Sequence, residues 1–295
     1  MARFEATTGK YVYLEVQNIE YRVYFEENGV GIPIVCQHTA GADGKQWRQF
    51  LSDDDITSTY RIIVPDLPYH GKSLPPEAIE WWKKEYQLTK SFFIDFHLAL
   101  NRALGLERPV YIGSSMGGHL APDLALTCPD EYRAVIGLEA GLKRGFGSVD
   151  DIRASLRYYR HPRVNGAERI AASMYCLTGP RSPESFRREV AWTYGQGAPG
   201  IHSGDLNYYF IEHDLRATAQ LIDTSRCAVY IMNGDYDPTT GIKEGEELVA
   251  QIRGAKFVPL YGLGHFPMTE DFPSLKRSLM PILDEIAAKS IRQSA

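Results

Sequence analysis

The sequence contains little cysteine, no long hydrophobic run and no excess of basic residues. Its four cysteines lie far apart without a Cys-x-x-Cys pair, which argues against a disulfide scaffold or a zinc ribbon. We therefore interpret them as reduced, mostly buried residues. No apolar run approaches the ~18–20 residues of a membrane-spanning helix, and residues 1–10 do not resemble a signal peptide. The expected location is cytoplasmic, without a membrane partner.

The charge balance narrows the range of partners further. The chain of 295 residues has 32 Lys and Arg against 37 Asp and Glu, and the basic residues are scattered. Nucleic acid requires a basic stripe or patch, so no nucleic-acid partner is expected. We expect a small-molecule substrate, and the sequence is compatible with a homo-oligomer. The length allows one large domain or a domain with a sizeable insertion.

Short apolar runs alternate with longer amphipathic stretches, which indicates an α/β fold. Residues 11–16 and 19–25 alternate polar and apolar positions, as in an antiparallel hairpin, and the pattern breaks at Glu27, Asn28 and Gly29. Nearly continuous apolar runs predict strands covered on both faces, at residues 32–36, 61–64, 110–113 and 134–138. Helical spacing is found at residues 86–104 and 117–128. We predict a mostly parallel central sheet flanked by helices.

The composition changes after Gly141. Until about Leu221 there is no strong strand pattern, and Arg, Tyr, Gly and Pro become frequent. Strand patterns return at residues 228–234 and 256–260, followed by a last helix. We therefore predict one core domain formed by residues 1–140 and 222–295, with a mainly helical insertion at residues 141–221.

One short motif carries the strongest chemical signal. Residues 113–117 (GSSMG) place Ser115 with glycine two positions away on each side, between a predicted strand and a predicted helix. This arrangement matches the nucleophile elbow G-x-S-x-G, in which side chains at the glycine positions would collide with neighbouring elements. Ser115 is the candidate nucleophile. Ser114 does not fit the frame, because Ile112 and Met116 occupy its flanking positions.

A serine hydroxyl needs a base that takes its proton, and histidine is the usual one. His265, in the segment GLGHF directly after the last predicted strand, is the candidate base. We interpret His70 and His119 as structural or pocket-lining residues. The remaining histidines of the predicted helices and insertion are interpreted as packed or solvated: His97, His161, His202 and His213.

The base in turn needs an acid that fixes its tautomer. Residues 233–238 (NGDYDP) end the strand before that of His265, and Asp237 is the preferred acid. Asp235 is the alternative, with hydrogen bonding inside the turn as its simpler role. Glu139, at the end of the predicted strand 134–138, is a third candidate.

Acyl transfer also creates an oxyanion, which requires two converging N–H donors. The N–H of Met116 is one candidate, because this residue follows the nucleophile and opens the helix. The second is expected from the loop after strand 32–36, whose small residues allow close approach to a ligand. We assign it to Ala40, with Thr39 as the alternative.

The order of these motifs resembles the α/β-hydrolase superfamily. The resemblance rests on the His38 loop and on four segments: residues 65–73 (PDLPYHGKS), 113–118 (GSSMGG), 234–237 (GDYD) and 262–266 (GLGHF). It implies an α/β-hydrolase fold with a Ser-His-Asp triad, and an insertion that serves as a cap over the active site. No cofactor and no metal are expected. The family's common His-Gly pair is His38-Thr39 here, which leaves open which loop N–H points inward and adds a hydroxyl near the pocket.

The superfamily motifs do not define a substrate. Serine at the nucleophile position argues against dehalogenases and epoxide hydrolases, which use aspartate, and a non-catalytic binding protein is disfavoured because no triad member is missing. The insertion is dense in aromatic residues, of which we expect some to face the pocket: Tyr158, Tyr159, Tyr175, Trp192, Tyr194, Tyr208, Tyr209 and Phe210. We therefore predict hydrolysis of a moderately sized, partly apolar or aromatic carboxylic ester or lactone through an acyl-enzyme. The alternative is a carbon–carbon bond hydrolase acting on a diketone-like ring-cleavage product.

Overall fold

A single sheet of eight strands organises the protein. The computed structural model describes residue 2 and residues 4–294, the side chains of 290–294 excepted. The strand order is β1-β2-β4-β3-β5-β6-β7-β8. The strands are β1 Thr8–Val16, β2 Ile19–Asn28, β3 Ile32–Gln37, β4 Tyr60–Pro65, β5 Val110–Ser114, β6 Ala134–Leu138, β7 Ala228–Gly234 and β8 Lys256–Leu260. Strands β1 and β2 pair antiparallel, as do β2 and β4, and all other neighbours are parallel.

Helices cover both faces of this sheet. The longer ones are α1 Lys90–Ala103, α2 Met116–Thr127, α3 Val149–Tyr158, α4 Gly166–Cys176, α5 Glu184–Gln196, α6 Pro199–Asn207, α7 Ile242–Gln251 and α8 Phe272–Ser294. Shorter helical segments are Gly44–Trp47, Arg48–Leu51, Asp54–Thr57, Trp81–Lys83, Pro129–Glu131, Tyr208–Glu212, Ala219–Leu221 and Pro267–Glu270. The predicted fold class, a mostly parallel sheet flanked by helices, is confirmed.

The burial of the strands explains their sequence patterns. Every residue of β5 and β6 is buried, which matches their nearly continuous apolar sequences. Two apolar cores lie on opposite faces of the sheet. Phe93 of α1 and Leu120 of α2 belong to one core, whereas Leu279 of α8 belongs to the other. The parallel strands are therefore covered on both sides.

The segment between β6 and β7 contains helices α3 to α6 and, among the described residues, no strand beyond one isolated bridge between Lys143 and Asp214. Strands β6 and β7 pair directly with each other. The chain thus leaves the sheet after β6, forms these helices and returns beside the strand it left. The division into a core and a cap at residues 141–221 stays a prediction.

Three details differ from the sequence-based expectations. Helix α1 begins at Lys90 rather than near residue 86, because the Thr89 side chain accepts the Phe92 N–H and caps it. Strand β2 continues to Asn28, where it pairs with β4. Cys176 is exposed, whereas the cysteines were expected to be mostly buried. No helix of the described residues is long and apolar enough to cross a membrane.

Helix α2 approaches the sheet so closely that only glycine fits at position 118. A Cβ atom there would collide with the backbone carbonyl oxygen of Leu138 in β6. We expect Gly118→Ala to lower the free energy of unfolding by about 3 kcal/mol or more, measured by denaturant titration. Gly195→Ala in α5 is the matched control, since its Cβ would lie 3.8 Å from the nearest atom. The control should stabilise the protein by up to ~1 kcal/mol. Equal stability of the two variants would contradict the close contact.

Candidate active site

Ser115 occupies a sharp turn between β5 and α2. Its backbone has φ 56° and ψ −114°, in the region that side chains rarely adopt. Its N–H donates to the carbonyl oxygen of Leu138 at 2.9 Å, and its own carbonyl oxygen accepts the His119 N–H at 2.8 Å. Backbone contacts on both sides therefore hold the strained turn in place.

The predicted base and acid lie in line with this serine. His265 Nε2 is 2.8 Å from Ser115 Oγ, and His265 Nδ1 is 2.6 Å from Asp237 Oδ2. A carboxylate only accepts, so the Nδ1–H donates to Asp237 and Nε2 is left to accept the serine proton. The structure thus brings together the three residues that the sequence proposed as a triad.

Asp237 is held as an anion by its surroundings. Its Oδ1 accepts the N–H of Thr239 at 2.8 Å and the hydroxyl of Thr239 at 2.7 Å. Burial by itself would raise the pKa of Asp237, but His265 and Thr239 outweigh burial and lower the pKa to about 2. The carboxylate is therefore charged at neutral pH and stabilises a positive charge on His265.

The two alternative acids occupy other positions. Asp235 accepts the backbone N–H of Gly262 at 2.6 Å, which is the turn role considered for it. Glu139 is fully buried and accepts the N–H of Gly234. Burial and the negative charge of Asp237 raise the pKa of Glu139 well above its usual value, so it is a neutral neighbour of Asp237. Asp237 is thus the carboxylate that contacts His265.

His38 and Thr39 at the start of the loop after β3 are fully engaged. The N–H and the hydroxyl of Thr39 both donate to Gln46 Oε1, at 3.0 and 3.1 Å, and the hydroxyl also contacts Tyr194. His38 donates from Nδ1 to the Thr39 carbonyl, and its Nε2 accepts the Leu67 N–H. Burial lowers the pKa of His38 to about 3. The extra hydroxyl expected near the pocket is therefore engaged by Gln46 of the loop and by Tyr194 of α5.

Ala40 is placed differently from its neighbours in this loop. Gly41 donates its N–H to Asp205 at 2.7 Å, and Ala42 donates to the Thr39 carbonyl at 3.2 Å. Across residues 4–294, no hydrogen bond is described for the Ala40 N–H. The N–H of Met116, at the first position of α2, has no partner within its helix. These two N–H groups are available for an oxyanion.

Buried histidines from the insertion and from α2 surround the triad. His119 donates from Nδ1 to the Ser115 carbonyl at 2.9 Å, and burial together with His213 keeps its pKa well below the usual value. His213 lies between Asp123 Oδ2 at 2.8 Å and the Gly141 carbonyl at 2.9 Å. His119 was interpreted as structural or pocket-lining and His213 as packed or solvated, and both are buried. Their contacts near Ser115 had no signal in the sequence.

Few of the aromatic residues of the insertion reach the site. Trp192 and Tyr158 are 62% and 47% exposed, respectively. Tyr208 donates its hydroxyl to Asp123 at 2.7 Å. Tyr209 is buried beside the triad and shares a hydrogen bond of 3.3 Å with Thr240. Both tyrosines lie on the π-helical turn Tyr208–Glu212, a rare geometry often found at functional sites.

Arg144 is a charged neighbour of the site that the sequence reasoning missed. Its Nε is shielded from solvent and has no hydrogen-bond partner. None of the ion pairs described for residues 4–294 includes it. Burial raises the pKa of Tyr209, and the Arg144 charge and the Ser115 hydroxyl oppose that rise. The guanidinium therefore acts on the phenol next to the nucleophile.

The described residues contain no group of three or more His, Cys, Asp or Glu side chains that could hold a metal ion. The site itself offers the hydroxyl, imidazole, carboxylate, guanidinium and backbone N–H groups described above. Together they can activate a nucleophile and stabilise an oxyanion.

Two curated proteins of similar sequence are named as hydrolases. A Paraburkholderia phymatum protein named 2-hydroxy-6-oxononadienedioate/2-hydroxy-6-oxononatrienedioate hydrolase is 30% identical over 140 residues, 46% of each chain. A Burkholderia cepacia protein named 2-hydroxy-6-oxo-6-phenylhexa-2,4-dienoate hydrolase is 26% identical over 170 residues, 54% of this chain and 56% of the relative. The chain thus spans about half the length of the curated relatives it matches.

Solved structures and a family profile define the fold. A thermophilic esterase from Thermogutta terrifontis superposes with a TM-score of 0.79 at 22% identity, covering 94% of this chain and 99% of the other. The enol-lactonase from Burkholderia xenovorans superposes with a TM-score of 0.77 at 19% identity, covering 92% and 100%. The profile described as alpha/beta hydrolase fold matches residues 32–272. The chain belongs to the α/β-hydrolase fold family.

Proposed function

We propose that this protein hydrolyses a carbon–carbon bond in a carboxylate-bearing, diketone-like ring-cleavage product, with Ser115 as nucleophile. The observation that carries the serine chemistry is the continuous contact from Ser115 Oγ through His265 to Asp237, at 2.8 and 2.6 Å. In such a contact the imidazole takes the serine proton as the hydroxyl attacks a carbonyl carbon. This geometry supports the proposed roles of nucleophile, base and acid.

The reaction would proceed in two halves. Attack of Ser115 Oγ on the ketone places a negative charge on its oxygen, which the N–H groups of Ala40 and Met116 would stabilise. The adjacent carbon–carbon bond then breaks, and its electron pair passes into the conjugated 2-oxo acid fragment. The serine is left acylated. The protonated His265 gives its proton to the departing enolate fragment, which is released as an enol. His265, neutral again, then takes a proton from the water that attacks the acyl carbon. Ser115 Oγ leaves and regains that proton from His265, and a carboxylic acid is released.

Carbon–carbon cleavage requires one proton transfer that ester cleavage does not require. The dienol form of such a substrate must first gain a proton on carbon, so that the departing fragment leaves as a stabilised enolate. The names of the curated relatives fit this chemistry, since they denote hydrolases of 2-hydroxy-6-oxo dienoic acids. These relatives are 30% and 26% identical to this chain over about half of their length, so their names support the proposed reaction class.

The unpaired Arg144 supports an anionic substrate. Arg144 is partly buried, and its Nε is shielded from solvent without a hydrogen-bond partner, so a ligand carboxylate would supply both an acceptor and the opposite charge. Arg144 lies in the segment that runs beside the π-helical turn, because Lys143 bridges to Asp214 and Gly145 lies against the carbonyl of Phe210. A substrate carboxylate would therefore be held near Tyr209, on the insertion side of the nucleophile.

Hydrolysis of a carboxylic ester or lactone, the main expectation from the sequence, is the second candidate. The observation in its favour is that the groups at the site suffice for it, since His265 can protonate an alkoxide leaving group directly. The argument from aromatic residues in the insertion is weaker than expected, because Trp192 and Tyr158 are exposed, whereas Tyr209 lies beside Ser115.

A substrate panel separates the two candidates. We expect wild-type protein to cleave 2-hydroxy-6-oxo-dienoic acids, which is measured as the loss of their visible absorbance. Cleavage of aryl esters of similar size should be at least ~10²-fold slower. Ser115→Ala should lower turnover of the preferred class by several orders of magnitude, because triad members act as a unit. Rapid ester turnover with an acylated Ser115, and none of the dienoic acids, would favour the ester hydrolase.

The two neighbouring aspartates offer a matched pair of variants. Asp237→Asn removes the acceptor for the His265 Nδ1–H, so we expect kcat to fall by about 10³–10⁴-fold with the fold retained. Asp235→Asn alters a contact to the Gly262 backbone and should change kcat by less than about threefold. The measurement is steady-state kinetics on both variants, checked by circular dichroism. The opposite ranking would transfer the acid role to Asp235.

The role of Arg144 is tested by the charge of the substrate. We expect Arg144→Gln to raise KM for a carboxylate substrate by about 10-fold or more and to leave KM for its methyl ester nearly unchanged. Arg144→Lys should restore part of the loss. Arg157→Gln, an exposed arginine of α3, serves as the control and should behave as wild type. An equal effect of Arg144→Gln on both substrates would contradict carboxylate binding.

A further inference from the structure

One peptide unit of the loop after β3 is held at both ends by the insertion. The carbonyl oxygen of Ala40 accepts a hydrogen bond from His202 Nδ1 at 3.2 Å, and the N–H of Gly41 donates to Asp205 Oδ2 at 2.7 Å. The carbonyl and the N–H belong to the same peptide plane. His202 and Asp205 lie one turn apart on helix α6, so this helix clamps the plane from one side.

The approach of α6 to this loop is as close as the backbone allows. Gly41 has φ +71°, which favours glycine, and a Cβ atom there would lie 2.7 Å from the His202 ring and Cβ. His202 and Asp205 are both buried. Only the side chains of His202 and Asp205 lie between the helix and the loop at this point, so a shift of α6 is transmitted through them to the peptide plane.

Two further hydrogen bonds hold the Asp205 carboxylate in position to accept the Gly41 N–H. Its Oδ2 also accepts from His70 Nε2 at 2.8 Å, and its Oδ1 accepts the Tyr86 hydroxyl at 2.9 Å. Burial opposes a charge on both Asp205 and His70, but each lies against the other, so the pKa of Asp205 is lowered and that of His70 is raised. The carboxylate is charged and fully buried, and Gly41 supplies one of its three donors. Losing that N–H would leave a buried charge short of a partner.

We propose that helix α6 acts as a clamp that orients the Ala40 N–H for the oxyanion, with His202 and Asp205 as positioning residues. The inference rests on the proposed function, since it assigns Ala40 a role in acyl transfer. The Ala40 N–H lies directly next to the clamped plane, and Gln46 fixes the loop on its other side through the Thr39 N–H. The Ala40 N–H belongs to the Thr39–Ala40 peptide, whose carbonyl accepts from His38 Nδ1 and from the Ala42 N–H. A rotation of the clamped plane about the Ala40 backbone would change the direction of this N–H.

The clamp makes a distinct kinetic prediction. An oxyanion donor stabilises the transition state more than the bound substrate, so a misaligned donor lowers the chemical rate and leaves ground-state binding nearly unchanged. Loss of a whole donor costs ~10²–10³ in rate, and misalignment should cost less. A purely structural role for His202 and Asp205 would lower stability without this specific loss.

A fluorophosphonate measures the effect without knowledge of the natural substrate. Ser115 Oγ attacks phosphorus, the new O–P bond forms as the P–F bond breaks, fluoride leaves, and the serine proton passes to His265 and then to solvent. The phosphoryl oxygen takes the place of the oxyanion. The labelling rate constant at saturation and the concentration for half-saturation are measured separately by intact mass spectrometry. Wild type and Ser115→Ala give the upper and lower limits.

Four variants test the clamp. His202→Phe keeps the aromatic contacts of the ring but loses the donor, and we expect a fall of about 10-fold in the saturated labelling rate. Asp205→Leu should fall by 10–100-fold, and Asp205→Asn should recover part of this, because it retains one acceptor oxygen. Asn207→Ala is the control. Asn207 is also buried on α6, but it donates to the Leu88 carbonyl and to Glu212, away from the clamped loop.

The outcomes separate the clamp from the catalytic assignment. No labelling of wild type, or equal labelling of Ser115→Ala, would overturn the proposed function and the clamp with it. If wild type is labelled at Ser115 and both His202→Phe and Asp205→Leu fold, saturated labelling rates within threefold of wild type would overturn the clamp alone. An equal fall in Asn207→Ala would also overturn it, since the effect would then reflect α6 in general. If Asp205→Leu does not fold, His202→Phe decides.

Discussion

The close packing of helix α2 against the sheet is the constraint on which the site depends. Ser115 holds a left-handed backbone conformation directly before this helix, and its N–H is tied to the carbonyl of Leu138 in β6. Gly117 and Gly118 let the helix lie against β3 and β6, where a Cβ atom would meet Gln37 or Leu138. The strained turn and the packing support each other, and together they place the serine hydroxyl at the end of β5.

Buried histidine–carboxylate pairs are the second recurring feature. His265 with Asp237, His70 with Asp205 and His213 with Asp123 are all nearly inaccessible to water, with contacts of 2.6 to 2.8 Å. Such pairs are a weak source of stability, because their desolvation offsets much of their attraction. Their common position in the loops and helices near Ser115 indicates that they fix geometry. One holds the His265 ring, and the other two join residues of the insertion to the core.

The insertion contacts the loops on both sides of the nucleophile. Helix α6 holds the loop that carries Ala40. The carbonyl of Leu177 accepts the His265 N–H at 2.9 Å, and Glu270 accepts the N–H groups of Gly179 and Gly264. Burial raises the pKa of Glu270 to about 7 against these N–H donors. The segment that the sequence suggested as a cover therefore contacts the loop that carries His265.

Local sequence patterns were sufficient to predict the buried strands of the core and the candidate residues that follow them. Runs of β-branched residues predicted the buried strands because burial on both faces demands continuous apolar sequence. The glycines around Ser115 predicted the elbow because no other residue fits there. His265 and Asp237 followed from their places after two strands, since parallel strands end at one edge of the sheet.

What only the tertiary structure decided lies in contacts between residues far apart in the chain. Ala40 stands out over Thr39 because Gln46 takes the Thr39 N–H, and no spacing rule encodes that. Asp205 and Arg144 gave no signal, because a charged residue in a helical or irregular segment is usually solvated. The folded structure buries Asp205 against His70 and Gly41, and it shields the Arg144 Nε from solvent without a hydrogen-bond partner. The sequence by itself determined the fold and the reactive groups, since these depend on local patterns; folding decided the electrostatics, since these depend on which distant side chains share a space without water.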